Sequence, residues 1–247
     1  MHDKRWRTFG SAYPSTPIEQ QFAADVAALV LIDMQKYYAE PEGPFGTALM
    51  KEYPQSAEYL FTRLHGVVTP TLARLIDVFR RRRRPVVHVT IAAVGGSPDD
   101  PIESGLSPQV LRRGGPRPHL RPGQPWSEIV TELNPVPGEA IVVKTGRSAF
   151  TSTGIDQILR NLGVEHVAIG GFATNGCVEL TARDAADRGY ETFLVEDGCA
   201  GFDDRSHLTT MANFELMDGT ILEADALVAN LRGDQDLLNR PPEAGKG

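Results

Sequence analysis

Three side chains able to do nucleophilic chemistry together follow apolar, strand-like runs in this chain. Asp33 follows Ala28-Leu29-Val30-Leu31-Ile32, and Lys144 follows Ala140-Ile141-Val142-Val143. Cys177 lies in GGFATNGCVELTARDAADRG, residues 170–189, after His166-Val167-Ala168-Ile169. That segment turns from a strand pattern to a helix pattern, so Cys177 is expected near a helix N-terminus. Unpaired backbone N–H groups and the helix dipole there favour the thiolate. Charges ending strands of a buried parallel sheet belong at the crevice where open α/β proteins bind ligands. Singly, each residue has an ordinary structural explanation: a small buried hydrophobe for the cysteine, a solvated turn residue for the other two. Together, at equivalent junctions, they make a nucleophilic site.

The residue types define the reaction. A thiolate attacks an amide or ureide carbonyl and forms a thioester, which water hydrolyses. Asp33 is the general base that takes the thiol proton, returns it to the leaving nitrogen and then activates water. Lys144 stabilises the thiolate and keeps the carboxylate oriented. The tetrahedral oxyanion needs fixed donors, and the Cys177 N–H is one candidate.

The elements that must position these groups alternate along the chain. Strands are expected at 28–32, 85–90, 140–143, 166–169, 192–195 and 220–222. Helices are expected at about 66–82, 153–162, from the cysteine to about 188, 205–217 and 225–231, with a short one at 126–133. Gly163 and Gly189 are the stops of two of them. Pro- and Gly-rich stretches at 40–53 and 93–125 read as long loops. This alternation predicts one α/β domain, a three-layer αβα, Rossmann-like fold with a mostly parallel six-stranded sheet and helices on both faces. The expected organisation is an arm at 1–26, the domain at 27–232 and a polar tail at 233–247.

Composition narrows the function classes. The net charge of −7 gives a nucleic-acid partner no electrostatic support. The one basic run, Arg80–Arg84, precedes Pro85 and fits a solvated helix C-terminus better than a phosphate patch. No apolar stretch reaches membrane-spanning length, and MHDKRWRTFG lacks the apolar core of a secretory signal. Two cysteines give no disulfide framework, and a thiolate enzyme belongs in a reducing compartment, so a cytoplasmic location is expected.

The motifs IDMQ (32–35), the Lys144 strand end with SAF (148–150), and GFATNGCV (171–178) resemble those of the isochorismatase-like cysteine hydrolases. The resemblance runs from about Ala27 to about Leu231. That family contains N-carbamoylsarcosine amidase, ureidoacrylate and biuret hydrolases, nicotinamidases and isochorismatase itself. It implies an Asp–Lys–Cys triad at Asp33, Lys144 and Cys177. It further implies a second oxyanion donor at the Ala173 N–H and a non-proline cis peptide at Phe172–Ala173. Nicotinamidases carry a metal-binding Asp-x-His and a further His after the second strand; here His88 stands alone in that strand, which favours a structural or pocket-lining role. Neither a metal nor another cofactor is expected. The 33-residue step from Lys144 to Cys177, with the added arm, is most similar to the N-carbamoylsarcosine amidase and ureide-hydrolase branches. The implied activity is hydrolysis of a C–N bond in a small amide, N-carbamoyl or ureide substrate. A catalytically idle binding or assembly module is the alternative, and a vinyl-ether hydrolase, whose type lacks the nucleophilic cysteine, a remoter one.

Further residues carry open alternatives. Tyr38 stands where the family often has an aromatic pocket wall. Gln35 either bonds near Asp33 or fixes the strand end. Arg147 either grips a substrate carboxylate or is a solvated loop residue, and Phe150 follows it in the same loop. Phe172 either walls the pocket or packs. Thr174 and Asn175 are candidate helix caps, Asp197 and Asp203 candidate turn and cap residues, and Cys199 a buried structural cysteine. The arm carries Trp6, Phe9, Tyr13, Ile18 and Phe22, which need a surface to cover. A homo-oligomer is therefore expected, with the arm or the 93–125 segment crossing to a neighbour.

Overall fold

The computed structural model describes residues 22–94 and 120–232. The arm before Phe22, most of the 93–125 segment and the tail lie outside the described residues. Strand β1, Ala27–Ile32, is buried along its whole length. Ala27, Leu29 and Leu31 face one core, while Ala28, Val30 and Ile32 face the other. A strand covered on both sides needs apolar residues at every position, which is why its sequence shows no alternation. It pairs in parallel with β2, Val86–Ile91, and with β4, His166–Phe172. Beyond these lie β3, Ala140–Lys144, on one side and β5, Glu191–Ala200, then β6, Thr220–Leu222, on the other. The order is β3-β2-β1-β4-β5-β6, and every pairing is parallel. The strand order reverses between β1 and β4, so the ligand crevice of such a sheet falls at their C-terminal ends.

Helices cover both faces. The chain after β1 forms α1 (Lys36–Ala39), α2 (Pro44–Glu52), α3 (Pro54–Arg63), a wide turn at Leu64–Val68, and α4 (Thr69–Arg81). Leu72, Leu75, Ile76 and Phe79 of α4 share one core with Leu227 and Leu231 of the last helix. The opposite core takes Ile155 and Leu159 of α5 (Ile155–Asn161), Ala182 and Ala185 of α6 (Glu179–Asp187), and Leu208 and Met211 of α7 (Asp204–Met217). Helix α8, Ala224–Arg232, closes the described chain. No helix among the described residues is long and apolar enough to cross a membrane. Arg80 bonds Glu139 and the Asn134 carbonyl, and Arg84 bonds the Asp25 carbonyl, so the basic run does close a helix end.

Four expectations need correction. Residues 40–53, expected as a loop, contain α2, because Pro44 opens a helix at a position where its missing N–H costs nothing. The helix expected from Gly66 begins earlier, as α3, and passes through the turn at Leu64–Val68. Residues 126–133 form two separate 3-10 turns, Pro125–Ser127 and Thr131–Leu133. Strands β4 and β5 extend to Phe172 and Ala200, so Cys199 lies inside a strand. That extension depends on Gly171, whose φ is +128° and where a Cβ would stand 2.1 Å from the Ile32 carbonyl oxygen.

Candidate active site

The three strand ends bring Asp33, Lys144 and Cys177 into contact. Asp33 leaves β1 with φ +52°, its N–H donating to the Val89 carbonyl at 2.8 Å and its carbonyl accepting from Gln35 N–H at 2.8 Å. Lys144 is the last residue of β3 and wholly buried. Its Nζ donates to Asp33 Oδ2 at 2.8 Å, to the Gly146 carbonyl at 3.0 Å and to Cys177 Sγ at 3.3 Å. An ammonium has three donors, so its orientation is fixed. Taking both charges from water is costly, and their mutual contact with the extra acceptors offsets that cost.

Cys177 does not sit in a regular helix. It lies in the turn Thr174–Val178, in which Asn175 (φ −85°, ψ 24°) and Gly176 (φ −138°, ψ −107°) are not helical, and α6 begins only at Glu179. The Phe172–Ala173 peptide is cis. The Ala173 carbonyl accepts from the N–H groups of Gly176 and Val178. Neither Thr174 nor Asn175 caps the helix: the turn has no side-chain cap, the Asn175 side chain is exposed, and the Thr174 hydroxyl is engaged with His207.

The electrostatics also run against the thiolate that a helix N-terminus would favour. Burial pushes the Cys177 thiol up to about 12, the Asp33 carboxylate pushes the same way, and Lys144 opposes both. Burial and the Asp33 charge thus favour the protonated thiol over the thiolate. Burial works against the Lys144 ammonium, but Asp33 and Cys177 outweigh it and hold Lys144 above its ordinary value. Thiol, carboxylate and ammonium thus lie together around Lys144 Nζ.

The other expected residues separate into two groups. Tyr38 and Phe172 have ring centres 5.2 Å apart beside the turn, and Phe45 and Phe202 pack on Phe172 at 6.0 and 5.4 Å. Phe45 and Phe202 were not foreseen, because neither the fold of 40–53 nor the reach of β5 was. Arg147 is half-buried in the loop after Lys144.

Gln35 takes the strand-end alternative. Its Nε2 donates to the carbonyls of Ile91 and Ser127 at 3.1 and 2.9 Å, and its Oε1 accepts from Ile91 N–H at 2.8 Å. Phe150 packs in the core against Tyr190, under the Arg188 guanidinium, rather than with the aromatic wall. His88 Nε2 bonds Glu139 Oε2 at 3.0 Å, and burial holds its imidazole below the ordinary value, so its role is structural. Cys199 is wholly buried, with burial raising its thiol above the usual range. Asp203 caps α7 by accepting from Ser206 N–H at 2.7 Å, and Asp197 accepts from Ala224 N–H at 2.9 Å. Among the described residues no three His, Cys, Asp or Glu side chains cluster as a metal site.

Comparison with known proteins gives consistent results. The family described as Isochorismatase domain matches residues 27–226. A ureidoacrylate amidohydrolase from Variovorax paradoxus is 31% identical over 192 residues, 74% of this chain and 72% of that protein. The crystal structure of N-carbamoylsarcosine amidase from Thermoplasma acidophilum superimposes with a TM-score of 0.61 at 27% identity, over 81% of this chain and 96% of that one. A cysteine hydrolase from Pseudomonas syringae pv. phaseolicola 1448A gives a TM-score of 0.74 at 19% identity, over 90% of this chain and 99% of that one, a likeness of fold.

Proposed function

Because the chain belongs to the isochorismatase family, we propose that it is a cysteine hydrolase cleaving a C–N bond of a small amide, N-carbamoyl or ureide substrate. The observation that carries this reading is the convergence of Lys144 Nζ on Asp33 Oδ2 at 2.8 Å and on Cys177 Sγ at 3.3 Å. The names of two relatives, which speak of ureidoacrylate and N-carbamoylsarcosine, point to the same substrate class.

In the proposed reaction the Cys177 proton passes to Asp33 as Sγ attacks the carbonyl carbon. The charge that develops on the oxygen is received by the N–H groups of Ala173 and Cys177. The C–N bond breaks as Asp33 returns the proton to the nitrogen, and ammonia or an amine departs. Water, deprotonated by Asp33, then attacks the thioester carbonyl; the C–S bond breaks and the sulfur recovers its proton. Lys144 stays charged throughout and offsets whichever neighbour is negative. Tyr38, Phe45, Phe172 and Phe202 form the apolar wall, and Arg147 is the cation available to a substrate carboxylate. Such a thiol suits the reducing cytoplasm, and the active form is a homo-oligomer, which light scattering at micromolar protein would detect. The deciding experiment is ammonia release from a panel of carboxamides, N-carbamoyl amino acids and linear ureides, with Cys177→Ala as control. Turnover of one class that vanishes in the control is the expected result; no release from any member defeats the reading.

A further inference from the structure

A buried series of polar side chains ends on the nucleophile turn and has no part in the chemistry above. Thr174, directly after Ala173, is wholly buried, and its Oγ1 lies 2.9 Å from His207 Nδ1. His207, wholly buried in the first turn of α7, has its Nε2 2.8 Å from Glu196 Oε1 on β5. Arg63, the last residue of α3, completes the series. Its Nη2 donates to Glu196 Oε1 at 2.9 Å and to the Glu196 carbonyl at 3.0 Å, and its Nε donates to the Cys199 carbonyl at 2.8 Å. The same Nη2 is 3.0 Å from His207 Nε2.

Arg63 Nη2 and His207 Nε2 both reach Glu196 Oε1, so their 3.0 Å approach is that of two donors sharing one acceptor and not a hydrogen bond between them. A carboxylate only accepts, so His207 Nε2 carries the hydrogen that points at Glu196. Burial holds His207 below its ordinary value and keeps it neutral, so Nδ1 is a lone pair and the Thr174 hydroxyl donates to it. Burial alone would raise Glu196, but His207 and Arg63 outweigh it and bring it down to about 2. The series thus joins a fixed carboxylate, itself held by α3, to one hydroxyl of the turn. That turn departs from helical geometry at Asn175 and Gly176, immediately before the nucleophile. Regular helix bonding does not define the position of Cys177, so a side-chain tether has something to fix.

We propose that His207, with Glu196 and Arg63 behind it, is a positioning residue that holds the nucleophile turn through the Thr174 hydroxyl. It thereby sets where Cys177 Sγ and the Ala173 and Cys177 N–H groups stand relative to Asp33 and Lys144. This rests on the thiol-hydrolase reading of the site. None of the series touches the reacting atoms.

Thr174→Val keeps the shape and removes the donor, and Thr174→Ser restores the donor. His207→Gln keeps a donor for Glu196 and removes the ring nitrogen Nδ1 to which the Thr174 hydroxyl donates. In a Cys199→Ala background Cys177 is the sole thiol, so its alkylation by iodoacetamide is read without a substrate. Thr174→Val and His207→Gln should each lower kcat about 100-fold at nearly unchanged KM and slow alkylation about tenfold, while Thr174→Ser stays within about threefold of the parent. Thermal melts give the folded fraction for each variant. Parental kcat and alkylation in Thr174→Val would overturn the proposal. So would equal damage in Thr174→Ser, or a loss accounted for by unfolded protein alone. Since alkylation needs no substrate, absence of hydrolysis throughout the panel defeats the thiol-hydrolase reading and still leaves the tether tested.

Discussion

At Cys177 three influences compete for one proton. Burial and the Asp33 charge hold it on sulfur, and Lys144 alone favours its release. Removing Lys144 therefore leaves the thiol harder to ionise, and Lys144→Ala should alkylate at Cys177 more slowly near neutral pH. The ion pair also bears on stability. Lys144→Met leaves the buried Asp33 carboxylate without its cation, which costs about 3–5 kcal/mol, whereas the Asp33→Asn/Lys144→Met double variant removes both charges and should recover most of that loss. Urea denaturation of the two singles and the double decides this; equal losses in single and double would show that the pair's charges do not set its energy. Neither single should turn over substrate. The contrast between the cysteines is simpler. Cys177→Ala should fold normally and be inactive, while Cys199→Ala should keep activity and lose about 1 kcal/mol from a small core void, seen as a lower melting temperature. The meeting of Asp33, Lys144 and Cys177 was legible because each stands just beyond an apolar strand. The thiol's protonation state was not legible, since it depends on burial that residue type does not reveal.

At the scale of elements, close approach of backbones does what side chains cannot. A Cβ at Gly171 would stand 2.1 Å from the Ile32 carbonyl oxygen, where β4 meets β1 beside Asp33. Gly66, in the wide turn between α3 and α4, meets nothing within 4 Å. Gly171→Ala should therefore destabilise by more than about 3 kcal/mol or abolish folding. Gly66→Ala should be neutral or stabilise by about 0.5–1 kcal/mol. Denaturation midpoints compare the two, and a well-folded, fully active Gly171→Ala would contradict the account of this junction. The six strands could be read because each is a short run of apolar or β-branched residues between breakers. Helices α1 and α2 could not, since Pro41, Gly43, Pro44 and Gly46 look like loop chemistry. In fact Gly46 lies inside α2, where a Cβ would stand 2.2 Å from the Pro41 carbonyl oxygen. Phe45 was lost with that helix, and the Arg63–Glu196–His207 series was lost because its members are far apart in sequence and none belongs to a motif.

For the molecule as a whole, the buried charges predict how stability depends on pH. Burial pushes against both Glu139 and Glu196, yet hydrogen bonds and nearby cations bring each down from 4.5 to about 2. A carboxylate whose value is depressed on folding stabilises the protein fully above its unfolded value and loses that contribution as the pH falls through the folded one. These two contributions should disappear between pH 4.5 and about 2. Burial also lowers His88 and His207 from 6.5. Below that value the unfolded chain binds protons that the folded chain refuses, so stability already declines there. Lys144 is raised above 10.5, and its contribution is lost only at higher pH still. Burial raises both thiols from 9.0, so melting temperature should be level from about pH 7 to 9, decline above that as the unfolded thiols ionise and the folded ones do not, and fall in two stages on acidification, first below 6.5 and again below 4.5. His88→Asn, which cannot take up a proton, should make the first stage smaller, with the His207 share remaining, and leave the second in place. A melting temperature unchanged from pH 7 to 4.5, or one that rises on acidification, would show that these histidines are not held neutral by the fold.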